Sequence, residues 1–182
     1  MNKTLKTSLV LLSTVFALAA CGQNNSASSE TETTQAAEAT TTAPTSNKQN
    51  TTEDLPKDGV QRFKHVDKGG STFLIYYFKD DTVYKQIGIF LYNPKGLGKS
   101  EEEVIQLLNK SQELYKDVTG IISKVEKKDG EYIQTVIYNY QTMDWKELHR
   151  RDPNQFPATK PKPVKFSEAA AKLQEKGYVK YE

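Results

Sequence analysis

Thr72-Phe73-Leu74-Ile75-Tyr76-Tyr77-Phe78 is the stretch on which the fold turns. Phe73, Ile75 and Tyr77 alternate with Leu74, Tyr76 and Phe78, so a strand here carries apolar or aromatic side chains on both faces. Lys79-Asp80-Asp81-Thr82 then reads as a turn into a second strand, Val83 to Tyr92. Strict alternation in it places Val83, Lys85, Ile87, Ile89 and Leu91 on one face. Before the first stretch, Val60 to Val66 is a weaker strand signal closed by Asp67-Lys68-Gly69-Gly70. Three consecutive strands with short connections predict an antiparallel meander.

Working outward toward the C-terminus, Asn93 to Ser100 reads as a loop. Ser100 and Glu103 have capping-box spacing ahead of a helix over about 101–116. Val104, Ile105, Leu107, Leu108, Leu114 and Tyr115 form its apolar stripe, and three glutamates occupy the first turn, where the helix dipole favours them. Lys128-Asp129-Gly130 signals a hairpin between strands 119–127 and 131–140. In the second of these, Tyr132, Val136, Tyr138 and Tyr140 mark one face, with Ile133, Thr135 and Ile137 opposite. Asp144 and Glu147 predict a short helix to about Arg150, and 152–164, with four prolines, predicts an irregular surface segment. Ser167 is the expected cap of a last helix through Glu175, ended by Gly177, with a short closing strand at 178–181. The prediction is one α+β domain over 57–182: an antiparallel sheet of about five or six strands with the helices packed on one face.

The N-terminal third has a different character. Lys3 and Lys6 precede an apolar run from Leu9 to Ala20, broken by Ser13 and Thr14. That is the pattern of a secretory signal peptide, and the run is shorter than the roughly 20 apolar residues a membrane span needs. Leu18-Ala19-Ala20-Cys21 with Gly22 following looks like a bacterial lipobox. Such a box implies cleavage after residue 20 and transfer of a diacylglyceryl group to Cys21, with palmitate-like chains holding the protein on the outer face of the cell membrane. At about 0.8 kcal/mol per buried CH₂, two long chains supply on the order of 20 kcal/mol as an upper bound. Cys21 is the single cysteine, so lipidation leaves no thiol for a disulfide, a metal or a nucleophile. Residues 21–56 are rich in Thr, Ser, Ala, Gln, Asn and Glu and lack aromatic residues, the composition of a disordered tether. A flexible chain of that length has a root-mean-square span of roughly 30 to 35 Å. The tether carries five acids and Lys48 as its one base, whereas from residue 55 onward 22 Lys and Arg face 18 Asp and Glu. That mild excess suits solubility, and it also permits attraction to anionic wall polymers or headgroups.

No comparable chemical signature follows. Gly96-Leu97-Gly98-Lys99-Ser100 ends like a phosphate-binding loop, but the position of that loop's first glycine is Asn93 and Pro94 removes a backbone donor. No nucleotide, nucleic acid or cofactor is expected. His149-Arg150-Arg151-Asp152 shares letters with a kinase catalytic loop without its companion motifs. His65 and His149 are the two histidines, too few for an ordinary zinc site, so no metal site is expected and no catalytic residue is assigned. Asp80-Asp81 sits in a turn, where solvated carboxylates are the default. Tyr132, Tyr138 and Tyr140, or Tyr76 and Tyr84, fit either a carbohydrate- or peptide-binding face or half-buried packing.

The whole pattern resembles the YehR-like lipoproteins. The resemblance rests on Leu18 to Cys21, on Ile75-Tyr76-Tyr77-Phe78-Lys79 followed by Val83-Tyr84-Lys85-Gln86, and on Tyr115 to Gly120. It continues through Tyr140, Asp144-Trp145-Lys146-Glu147-Leu148 and Lys176-Gly177-Tyr178. It implies an α+β domain with an antiparallel sheet and no catalytic residues. The long Thr-rich tether and residues 93–100 depart from the family pattern. Three functions follow as expectations: a non-catalytic envelope binding module for a protein, peptide or cell-wall polymer; a small-ligand-binding accessory to transport or signalling; and an envelope hydrolase. An open, aromatic sheet face free of helix cover marks the first, an internal pocket the second, and a histidine against a serine or an acid in a cleft the third.

Overall fold

Asp80 and Asp81 both have positive φ (47° and 59°), as do Asp129 and Gly130 (52° and 82°). A two-residue hairpin of the kind whose twist matches its strands needs that conformation at both positions. These turns set the register of the sheet in the computed structural model, which describes residues 57–182. The elements are β1 (Gly59–Asp67), β2 (Gly70–Lys79), β3 (Thr82–Tyr92), α1 (Pro94–Leu97), α2 (Glu101–Tyr115), β4 (Ile121–Lys128), β5 (Glu131–Asn139), α3 (Trp145–Arg151), α4 (Phe166–Glu175) and β6 (Val179–Tyr181). The six strands form an open sheet in the order β4-β5-β3-β2-β1-β6, each pair antiparallel.

The α+β class and the antiparallel sheet stand as read from sequence. The expectation that every helix packs on one face is too simple, since α1 lies at the end of the sheet against the β1–β2 turn, with Asn93 N–H donating to Gly69 O. It also replaces the loop expected over 93–100. Asn93 caps it, and Gly98 at φ +66° ends it.

One face of the sheet is closed by rings. Phe63, Leu74, Tyr76, Phe78, Val136 and Tyr138 are each 2% exposed or less. Phe166 of α4 stacks flat on Phe78 at 3.8 Å and touches Phe63 and Tyr76. From α2, Val104, Leu108, Ser111 and Tyr115 point inward at helical spacing. Ser111 replaces the expected Ile105, which is exposed, because its hydroxyl accepts a 2.7 Å bond from buried Gln134 Nε2, and Tyr92 donates to Gln134 Oε1. Tyr138 and Tyr115 pair edge-to-face with hydroxyls 3.2 Å apart. Desolvation holds the Tyr76, Tyr92, Tyr138 and Tyr140 phenols above their ordinary range, so they act as neutral hydrogen-bonding groups.

Two boundaries are decided by long-range chemistry. The β2–β3 register shifts at a bulge: Tyr77 pairs with Lys85 and Phe78 with Val83, leaving Tyr84 as the extra residue. Val83 therefore joins the buried set, and Lys85, Ile87, Ile89 and Leu91 take the other face without it. Ser167 is not the cap of α4. Lys165 holds that position without a side-chain bond, and the Asp81 carboxylate, 86 residues away, accepts from both Ser167 N–H and Ser167 Oγ at 2.7 Å. At α2, Arg151 donates to the carbonyls of Glu113, Leu114 and Lys116, closing an end that has no basic residue of its own. Arg150 and Arg151 flank Glu147 and lower its carboxyl pKa to about 2.

Candidate functional site

Alternation in the central strands gives every ring-bearing position an opposite number. The pairing registers place Ile122, Ile137, Ile87, Ile75, Arg62 and Tyr181 in one continuous row across all six strands. The next row runs Lys124, Thr135, Ile89, Phe73, Lys64 and Val179. Its neighbour is Glu126, Ile133, Leu91, Ser71 and Val66, and at the other end Asn139, Lys85, Tyr77 and Val60 align. Ile75, Ile87, Ile89 and Ile137 are half-buried by their neighbours alone. Among the described residues five large hydrophobic side chains are exposed, and four of them, Val60, Val66, Ile122 and Val179, belong to this face. The face is open, and its middle is aliphatic.

Charge is sorted with the same bias. By register and alternation the open face holds Arg62, Lys64, Lys79, Lys85, Lys124 and Lys128 against Glu126 and Glu131. Those six cations and two acids carry the whole excess of +4 in the domain, because the other 16 Lys and Arg are matched by 16 Asp and Glu. The cations frame the aliphatic centre: Arg62 and Lys64 on β1, Lys124 and Lys128 on β4, Lys79 and Lys85 at the β2–β3 turn. Lys85 Nζ stands 4.8 Å over the Tyr77 ring and Lys64 Nζ 6.0 Å over Tyr181, contacts that seat a charged head beside a ring.

A second feature lies on the ring-lined side, where His65, Thr72, Phe90, Tyr92, Lys176 and Tyr178 border a cleft of about 380 Å³. His65 Nδ1 is 3.4 Å from Gly177 O, its Nε2 is 3.9 Å from Asp67 Oδ2, and its ring lies 5.1 Å from that of Tyr178. Both ring nitrogens thus face acceptors. Ser71 also borders the cleft, but by register it belongs with Leu91 and Val66 on the opposite face. His65 beside Asp67 in this cleft meets the acid half of the sign expected of a hydrolase, while among the described residues no serine or threonine hydroxyl is hydrogen-bonded to His65 as a nucleophile would be to its base.

The other residues singled out from sequence fall to structural roles. His149 Nδ1 lies 2.8 Å from Phe156 O. Lys99 pairs with Glu103 at 3.6 Å, and the Ser100 hydroxyl caps α2, so the Gly-Lys-Ser loop is a helix start. Asp81 caps α4 instead of being solvated. Tyr76, Tyr132 and Tyr138 are buried, which makes their role packing and moves any exposed binding surface to the other side of the same strands. Cys21, the expected signal peptide over 1–20 and the expected tether over 21–56 lie outside the described residues. No group of three or more His, Cys, Asp or Glu among the described residues is placed to hold a metal, and none of the described helices is long and apolar enough to cross a membrane.

Residues 60–179 match a family whose description is "Protein of unknown function (DUF1307)". The chain belongs to that family. Two of its relatives carry the name uncharacterized lipoprotein. The one from Listeria innocua serovar 6a is 24% identical over 128 residues, 69% of this chain and 83% of its own length. The one from Listeria monocytogenes serovar 1/2a is 23% identical over 123 residues, 67% of this chain and 80% of its own. Among solved structures, the NMR structure of the E. coli YehR protein superposes with a TM-score of 0.54 at 18% identity, over 68% of this chain and 90% of that one. The YehR-like lipoprotein resemblance read from the sequence accords with this family match, with the lipoprotein relatives and with the shared fold, and at that identity the superposition speaks for the fold alone.

Proposed function

We propose that this protein is a lipid-anchored envelope lipoprotein whose domain works as a non-catalytic interaction module, using the open sheet face as its contact surface. In this reading residues 1–20 are a signal peptide, Cys21 carries the diacylglyceryl group, 21–56 form the tether, and 57–182 are displayed outside the cell membrane. The lipoprotein names of the Listeria relatives and the lipobox letters support the anchor. The observation that carries the interaction reading is the asymmetry of the sheet. One side is closed by rings and helices, while four of the five exposed large hydrophobics and the entire net charge lie on the other. Contiguous exposed apolar surface rimmed by charge marks a contact site.

The test places a photoreactive residue at Thr135, in the middle of the open face, and for comparison at exposed Asn109 on α2. Adducts in living cells should form from Thr135 and be lost when Ile87→Asn is added. Equal labelling from both positions sinks the reading. Cys21→Ala should release the protein from the membrane fraction, and full retention removes the anchor from the scheme. The cleft beside His65 favours a second reading, a small-ligand accessory. Its volume suits a compact molecule, with Lys176 at its border and aromatic walls.

A further inference from the structure

We infer that the occupant of the open sheet face is the anionic phospholipid surface of the membrane itself, so that the domain lies on the bilayer with its Ile122–Ile137–Ile87–Ile75 row against the headgroup–acyl boundary. The inference rests on the proposed function, because it names the partner of the same face. Four observations lead to it.

The first is the pairing of an aliphatic centre with a cationic frame. Six strands about 4.8 Å apart, five of them eight to eleven residues long and β6 three, present a surface on the order of 25 by 30 Å. A lipid headgroup region offers the complement of both parts, phosphates for the frame and methylenes for the centre. An anionic wall polymer offers only the charge. A second copy of the chain would press one +4 face against another, which like-charge repulsion opposes.

The second is the kind of cation. Five of the six are lysines. Lysine is depleted at protein–protein contacts, where Arg and Trp supply the anchoring contacts, whereas its long stem lies along apolar surface while its head reaches phosphate. Lysines near an anionic leaflet each add to attraction, within a Debye length.

The third is where the chain enters. Lys57 O accepts from Asp81 N–H at 2.8 Å, and the Asp58 carboxylate accepts from Asp80 N–H. The entry is thereby pinned at the β2–β3 turn, beside Lys79 and Lys85, on the rim of the open face. A segment running from Cys21 to this point meets the domain on its membrane-facing border and has no need to pass around it.

The fourth is reach. On the proposed reading of residues 21–56 as a tether, a random chain of that length has a span of roughly 30 to 35 Å and would hold the face at an effective concentration in the millimolar range relative to its own leaflet. A weak surface contact is enough to be populated under those conditions.

The experiment uses the mature chain from residue 21 carrying Cys21→Ser, so that no acyl chain contributes. It is sedimented with vesicles of phosphatidylglycerol and phosphatidylcholine in equal parts, and with phosphatidylcholine alone. Binding should require phosphatidylglycerol, fall steeply in high salt, and weaken about tenfold or more in Lys64→Gln/Lys85→Gln. Ile122→Asn should weaken it further, and Trp145 fluorescence and circular dichroism should show each variant folded. Equal binding to both vesicle types, or unchanged binding by the charge variant, overturns the inference. If vesicles are not bound and the Thr135 probe captures a protein in cells, the lipid occupant is wrong and the open-face reading stands. If neither occurs, both fall.

Discussion

Tyr76 and Tyr77 are neighbours in sequence and inhabit different environments. Tyr76 is 1% exposed, packed edge-on against Phe63, whereas Tyr77 lies half-exposed beneath the Lys85 ammonium. The same contrast repeats along β3 and β5. On one side rings interlock with α2 and α4 and bond to each other, and on the other aliphatic side chains sit side by side with Phe73, Tyr77 and Tyr181 among lysines. Both sides are apolar by composition. The difference is that one spends its apolar surface on folding and the other leaves it available.

That contrast can be broken at its strongest point. Phe166 is fully buried and stacked on Phe78, so Phe166→Ala should cost about 3–5 kcal/mol of stability in denaturant titration. A loss below about 1 kcal/mol would mean that the ring-lined side does not carry the fold. A smaller effect is expected at the joint between α4 and the β2–β3 turn. Asp81→Asn keeps a residue tolerant of positive φ but removes the charge that holds Ser167, and about 1 kcal/mol should be lost. Unchanged stability there would show that α4 is held by packing alone. The smallest effect belongs to the open side. Ile122 is 65% exposed, and Ile122→Asn should change stability by no more than about 0.5 kcal/mol. A large loss would mean that the face is structural and would weaken its assignment as a contact surface.

Local chemistry made much of this legible from sequence. Ser100 and Glu103 form the reciprocal cap they spell out, Asp129-Gly130 makes the expected turn, and Gly177 takes a left-handed conformation at +82°. What escaped depended on partners far away in the chain. The bulge at Tyr84 is invisible because alternation alone cannot say where a register slips, and the cap on α4 comes from a carboxylate 86 residues earlier. The open face was hidden for a subtler reason. Phe73, Ile75 and Tyr77 look as apolar as Leu74, Tyr76 and Phe78, and a strand apolar on both faces reads as covered on both. The opposition of Ile133, Thr135 and Ile137 to the tyrosines of β5 was the available signal, but the aromatic set drew the functional reading to the side that α2 covers.

The position of β6 has a consequence for how the domain is made. The strand farthest along the chain pairs with the first strand of the domain, joining Arg62 to Tyr181 and Lys64 to Val179. A polypeptide synthesised from its N-terminus delivers β1 early and β6 late. Until then the outer edge of β1 remains a row of unpaired amides, open to a stray strand. Completion of the sheet therefore waits for β6 to emerge, and the lysine and arginine side chains that alternate along β1 guard that edge in the interval.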